Sequence, residues 1–329
     1  MKRAVCLLLA AACLFLASCA PALQKSETFA MNTIVTQSFY TDDDAVLKEN
    51  NAILREIENE MSKTVDTSDV SRMNAGGAVE ISAQTAEVLA AALDAAEETD
   101  GAFNPALGTV MDAWGFGTEG AHVPDKDALE EALAASDYRS VSLDGTAAGT
   151  GGAALDLGGA VKGYALDRIA QNLAAHDVSS ALISLGGSIY AIGEKSGGGS
   201  YKIGVRDPEG GENDYMAVLT LDGKFASTSG VYERGFEENG KFYHHIIDPK
   251  TGYPVENGLT AVTVICGSGL LSDIYSTALF VMGAEKGKAF AQEHGVDALF
   301  LTEDKTVVTT EGFQEKYGLE LKNRGYRMG

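Results

Sequence analysis

Three short stretches of this chain carry residue types that can do chemistry. The first is Asp156-Leu157-Gly158-Gly159-Ala160-Val161-Lys162-Gly163. Two glycines between a brief apolar run and a helical pattern let the backbone approach a ligand closely, and a helix N-terminus favours an anion. Asp156 opens the turn and Lys162 can face a phosphate. The spacing is that of neither a P-loop nor a dinucleotide fingerprint, and a tight turn without ligand would use the same residues. The second stretch holds Asp273 and Thr277, four apart and so on one helical face. Both offer oxygen to a hard cation such as Mg²⁺, which takes few protein ligands and lets phosphate complete its shell. A solvated face or a cap is the plainer reading. The third is Tyr243-His244-His245-Ile246-Ile247-Asp248-Pro249, with two of the five histidines. Neighbours on a strand face opposite ways, so one imidazole can act as general base while the other packs. A strand-end pair with Asp248 capping a turn is the alternative.

Weaker signals surround these. Phe225-Ala226-Ser227-Thr228-Ser229-Gly230 reads as a polar loop beside a phosphate, or as a turn. Trp114-Gly115-Phe116-Gly117 suits a flat ring or an ordinary core. His122, His176 and His294 lack a partner at ligand spacing and read as surface. There is no Ser-His-Asp elbow, zinc-spaced Cys/His set or basic aromatic stripe.

The elements that must position these groups follow from periodicity. Helices are predicted over about 42–61, 82–101, 124–136 and 161–175. Strands follow at 181–192, 201–206, 216–221, 244–247 and 259–265. Helices at 272–282 and 285–294 and a closing hairpin at 300–310 complete the chain. Helices cluster first and strands later without strict alternation, which predicts a single α+β domain with mixed sheets and packed helices.

Twenty-five Lys and Arg against 47 Asp and Glu give a net charge of −22. Nucleic acid and anionic lipid need clustered cations, so neither is the expected partner. At the N-terminus Lys2 and Arg3 precede an apolar run at 4–17, too short for an ordinary transmembrane helix and suited to a secretory signal. The run ends in Leu16-Ala17-Ser18-Cys19, which resembles the bacterial lipoprotein box, where the Cys is lipidated and becomes the new N-terminus. The division expected is a signal peptide at 1–18, a tether at 19–28 and one domain at 29–329. The protein would be lipid-anchored through Cys19 on the extracytoplasmic side of a bacterial membrane. Cys266 then remains as a lone thiol, read as a small buried hydrophobe.

The order of motifs along the mature chain resembles the flavin transferases of the ApbE type. It runs Met31-Asn32-Thr33, Met61-Ser62, Ser71-Arg72-Met73-Asn74, Gly101-Ala102-Phe103-Asn104-Pro105 and Trp114-Gly115-Phe116-Gly117. It continues through the stretch at 155–163, Leu185-Gly186-Gly187, Thr228-Ser229-Gly230, His245-Ile246-Ile247-Asp248-Pro249-Lys250-Thr251-Gly252 and Asp273 with Thr277-Ala278-Leu279. The resemblance implies Mg²⁺-dependent transfer of FMN from FAD to a Thr or Ser hydroxyl of another protein, with release of AMP. It implies Mg²⁺ on Asp273, Thr277 and the Gly159 carbonyl. FAD would lie against Met31, Ala102, Phe103, Asn104, Asp156, Lys162, His245 and Ile247. His245 is the implied base, with Asp273 a possible sharer of that role, and membrane-associated redox subunits are the implied acceptors.

Two departures stand out. Thr64 is small and polar where many members carry an aromatic residue, which would admit water and favour hydrolysis of FAD to FMN and AMP. Asn104 replaces a common Asp. A pyrophosphatase and a non-catalytic FAD-binding lipoprotein are therefore the competing readings, with a solute-binding lipoprotein further behind.

Overall fold

The computed structural model describes residues 21–329 except 212 and 323–324; the leader at 1–18 and Cys19 lie outside the described residues. Its centre is a nine-stranded sheet whose strands follow one another in chain order: β1 (Leu23–Ala30), β2 (Thr33–Tyr40), β3 (Ala181–Leu185), β4 (Ser188–Ile192), β5 (Lys224–Gly230), β6 (Leu259–Cys266), β7 (Asp297–Thr302), β8 (Thr306–Thr309) and β9 (Arg327–Met328). Every neighbour is antiparallel except β8 and β9.

Nine helices among the described residues pack around it: α1 (Ala45–Met61), α2 (Asp69–Asn74), α3 (Ala83–Glu98), α4 (Gly108–Trp114), α5 (Lys126–Ala134), α6 (Val161–Ala175), α7 (Gly269–Met282), α8 (Ala284–Glu293) and α9 (Phe313–Tyr317). One face of the sheet buries Phe39, Ile183, Val262 and Val264 against Leu54, Leu166, Ile274 and Phe280 of the helices. The other face buries Ala226, Ala261, Ile265 and Leu299 against Ile203, Leu219 and Leu221. Those last residues belong to a small three-stranded sheet of Tyr201–Arg206, Tyr215–Leu221 and Glu320–Leu321. A sheet covered on both faces needs continuous apolar strands, which is why 259–266 reads so plainly. The arrangement is the mixed α+β expected.

Four expectations change. The tether at 19–28 gives way at Leu23 to β1, paired along its whole length with β2; as an edge strand whose large apolar residues are only Leu23 and Phe29, both exposed, it carries no apolar run to announce it. The long strand at 181–192 is a hairpin that turns at Gly186-Gly187. The strand at 244–247 is the end of a ribbon, Gly235–Glu238 paired with Lys241–His244, so His245 lies just past it. The stretch at 225–230 is no loop: it is β5, at the centre of the sheet, with Ser227 fully buried.

Two close approaches set the site's frame. A Cβ on Gly163 would lie 2.0 Å from the Gly269 carbonyl oxygen, and one on Gly269 would lie 2.2 Å from that of Gly163. The paired glycines therefore let α6 and the start of α7 cross backbone to backbone. Asp167 of α6 then accepts the Gly269 and Leu270 N–H groups at 2.7 and 2.8 Å, satisfying donors that a helix start leaves free.

Candidate active site

Asp273 and Thr277 sit one turn apart on α7, against the serines of β4 and β5. Asp273 is buried, and its carboxylate accepts the Gly163 N–H at 3.0 Å and the Ser188 hydroxyl at 3.2 Å. The Lys162 ammonium stands 3.8 Å away. Thr277 Oγ1 lies 3.1 Å from Ser229 Oγ. These partners come from β4, β5 and the first turn of α6, so the loop-to-helix stretch and the Asp/Thr pair meet as one site.

The loop before α6 is built from the side. Asn74 of α2 clamps Leu155, its amide nitrogen donating to the Leu155 carbonyl at 2.9 Å and its oxygen accepting the Leu155 N–H at 2.7 Å. Asp156 accepts the Gly158 N–H at 2.9 Å, closing the turn, while its other oxygen pairs with Lys63 at 3.0 Å. Lys63 also reaches Asp112 at 2.7 Å; burial works to lower its pKa, but the two carboxylates outweigh that and raise it. Lys162 reaches back to the Gly158 carbonyl at 3.2 Å. A Cβ on Gly159 would meet the Phe103 ring at 3.2 Å and Thr277 Oγ1 at 3.6 Å. Gly159 thus leaves room beside Thr277 that a side chain would fill.

The two histidines divide as the alternation suggests. His244 is buried, with Nε2 3.0 Å from the Val255 carbonyl and Nδ1 accepting the Ile246 N–H at 3.3 Å. Both nitrogens are used, so it is a structural residue. His245 is half-buried, and its Nδ1 lies 3.2 Å from the Arg234 carbonyl. A carbonyl only accepts, so Nδ1 carries the proton and Nε2 keeps its lone pair. Burial first, then the Arg234 charge, lower the His245 pKa to about 4. The ring is therefore neutral and able to take a proton at neutral pH. The Lys162 charge adds to that depression.

The ribbon that ends beside His245 rests on an aromatic cluster. Trp114 is fully buried, its ring centroid 5.4 Å from Phe116, 5.5 Å from Tyr243 and 5.6 Å from Tyr253. Its indole N–H donates to the Gly252 carbonyl at 2.8 Å. Asp248 closes the turn before it, accepting the Lys250 N–H on its side chain and the Gly252 N–H on its carbonyl. Trp114 is core, and Asp248 is the turn cap that the plainer reading gave.

The remaining candidates are scattered in role. Met31 and Asn32 form a two-residue hairpin turn with φ of 52° and 57°, and Glu58 accepts the Met31 N–H at 3.1 Å. A left-handed Met is strained, by about 1 kcal/mol or more. Phe103 is buried beside Gly159, and Ala102 is half-buried before it. Asn104 is engaged by protein at both ends of its amide, donating to the Ser136 carbonyl and accepting the Ala106 N–H. It pins its own turn. Ile247 is buried in the aromatic layer.

Sequence reasoning missed Lys63, Ser188 of β4 and Glu233, and it read Ser227 and Ser229 in a loop or turn where they stand on β5. Glu233 is an exposed residue whose carboxylate end turns inward. Its carboxylate abuts Gly187, and burial, with Asp273 nearby, raises its pKa to about 7. No local pattern announces it. Cys266 is half-buried, donating its S–H to the Ser268 carbonyl, and burial pushes its pKa to about 11; it is inert as read.

The site gathers oxygen donors and an ammonium where α6 and α7 meet β4 and β5, with a neutral imidazole at the end of the ribbon. The chain matches the ApbE family over residues 31–300, and it belongs to that family. It is 39% identical over 293 residues to the FAD:protein FMN transferase of Treponema pallidum, covering 83% of this chain and 81% of the relative. The ApbE protein of Thermotoga maritima superposes with a TM-score of 0.83 at 33% identity, over 89% of this chain and 99% of the other. The flavinyl transferase ApbE of Pseudomonas stutzeri gives 0.80 at 30% identity, over 91% and 98%.

Proposed function

We propose that this protein transfers FMN from FAD to a Thr or Ser hydroxyl of an acceptor protein. The observation that carries the reading is His245, a neutral imidazole whose Nδ1–H is anchored on a carbonyl and whose Nε2 is free. The acceptor oxygen attacks the FMN-side phosphorus of FAD and gives its proton to Nε2. The bond from that phosphorus to the bridging oxygen breaks, and AMP leaves. Lys162 faces the charge that grows on the phosphoryl oxygens. Phe103, beside Gly159, borders that space, and the strained Met31 turn is read with it as holding the nucleotide.

The donor set fits Mg²⁺: one carboxylate from Asp273, one hydroxyl from Thr277 and the Gly159 carbonyl, all hard oxygen, in a cradle that only glycine leaves open. Bound there, the ion would neutralise pyrophosphate charge and leave further positions to phosphate. Asp273, already held by Gly163 and Ser188, serves as ligand better than as base. The acceptor is read as a membrane-associated redox subunit, and the enzyme as tethered through a lipid on Cys19.

Hydrolysis of FAD competes at the same site. Thr64 is exposed beside Lys63, and its hydroxyl is only 2.9 Å from that of Ser62, so no ring covers this corner against water. Thr64→Tyr should lower free FMN relative to FMN on acceptor, measured by chromatography of one reaction. An unchanged ratio removes this corner as the water entry. For the transfer itself, His245→Ala should keep FAD affinity within a few-fold and slow transfer by about 10²–10⁴-fold. Transfer at the normal rate in that variant would exclude His245 as the base.

A further inference from the structure

The hydroxyls beside Thr277 can be wired in one way only. Ser276 Oγ lies 2.8 Å from the Asp273 main-chain carbonyl, which accepts and never donates, so Ser276 spends its proton there. Ser229 Oγ lies 2.8 Å from Ser276 Oγ; Ser276 can now only accept, so Ser229 donates to it. Ser229 Oγ also lies 3.1 Å from Thr277 Oγ1. Its single proton is already committed, so Thr277 must donate to Ser229. Three hydroxyl protons serve three hydrogen bonds with none left over.

The consequence falls on the far side of Thr277. With its proton directed back at β5, Oγ1 turns its lone pairs toward the room left by Gly159. We infer that Ser229 is a positioning residue that fixes the polarity of the Thr277 hydroxyl, so that the pocket it shares with Asp273 presents oxygen lone pairs to a divalent cation. This rests on reading Asp273 and Thr277 as cation ligands. Ser276 acts at one remove, by holding the Ser229 proton away from Thr277. Partners that orient ligands in this way typically change metal affinity 10–100-fold when lost.

The test is Mn²⁺ binding to the full mature chain, read from the free-ion paramagnetic resonance signal. ADP is present as a diphosphate that carries no flavin phosphate to transfer. Ser229→Ala should raise the Mn²⁺ Kd about 10–100-fold without moving the melting temperature of the metal-free protein, and Ser229→Thr should restore binding. Ser276→Ala, which frees the Ser229 proton to turn toward Thr277, should weaken binding comparably. Asp273→Ala and Thr277→Ala separate the two levels. If both abolish Mn²⁺ binding while Ser229→Ala and Ser276→Ala bind like wild type, the wiring is wrong and the cation site stands. If wild type fails to bind Mn²⁺, or Asp273→Ala binds it unchanged, the cation reading fails and the inference with it.

Discussion

At the residue scale the site turns on which atoms hold protons. His245 keeps Nε2 free because Nδ1–H is committed to Arg234, and its pKa of about 4 lies below the ordinary 6.5. The acid limb of the kcat/KM profile for transfer should therefore fall near pH 4, with no inflection at 6.5 from this group. A limb at 6.5 that disappeared in His245→Ala would contradict the neutral, half-buried imidazole. The same shift has a stability sign. Between pH 6.5 and 4 the unfolded chain binds a proton at His245 that the folded chain refuses. Its contribution is thus intact above 6.5 and is lost as the pH falls toward 4. His245→Ala should flatten that part of the stability curve in denaturant titrations, and an unchanged slope would deny the depressed pKa.

At the element scale the site is a junction of α6, α7, β4 and β5, and it needs their backbones close. Gly163→Ala drives a methyl group into the Gly269 carbonyl and toward Asp273 Cβ. Overpacking of this kind costs about 1–3 kcal/mol or more, and here it also displaces the N–H that Asp273 accepts. Chemical denaturation should show that loss together with weakened transfer; wild-type stability would mean the helices have room to part. How far these elements were legible depended on what announced them. The helices at α1, α3 and α6 and the strand β6 carry apolar periodicity, and their positions follow from it. The centre of the sheet was hidden at β5, because Phe225-Ala226-Ser227-Thr228-Ser229-Gly230 turns in hydroxyls that bond to serines of β4 and α7 in place of apolar contacts. The short helix α4 and the edge strand β1 lack the length or hydrophobicity to stand out. Asp273, Thr277, Lys162 and His245 were legible as types at spacing, and their meeting rested on the family's motif order. Lys63 and Glu233 reach the site from loops and turns, where no period points at them.

At the scale of the whole molecule, a two-faced sheet fixes a rigid body with the site on its helical side, and the charge of −22 favours no polyanion. If lipid sits on Cys19, the four residues to the start of β1 at Leu23 span at most about 14 Å. The enzyme body would then lie against the bilayer and serve acceptors close to it. Cys19→Ser should move the protein from the membrane to the soluble fraction on cell fractionation without altering FMN transfer by the purified chain; membrane retention would refute the anchor. The most direct test of the account is the intact mass of an acceptor peptide carrying one Thr, incubated with the mature protein and FAD, with and without Mg²⁺, while AMP is followed in parallel. The account predicts a peptide heavier by FMN less one water, matched by AMP and dependent on Mg²⁺. AMP and free FMN beside an unmodified peptide would contradict it and make the protein a hydrolase of FAD.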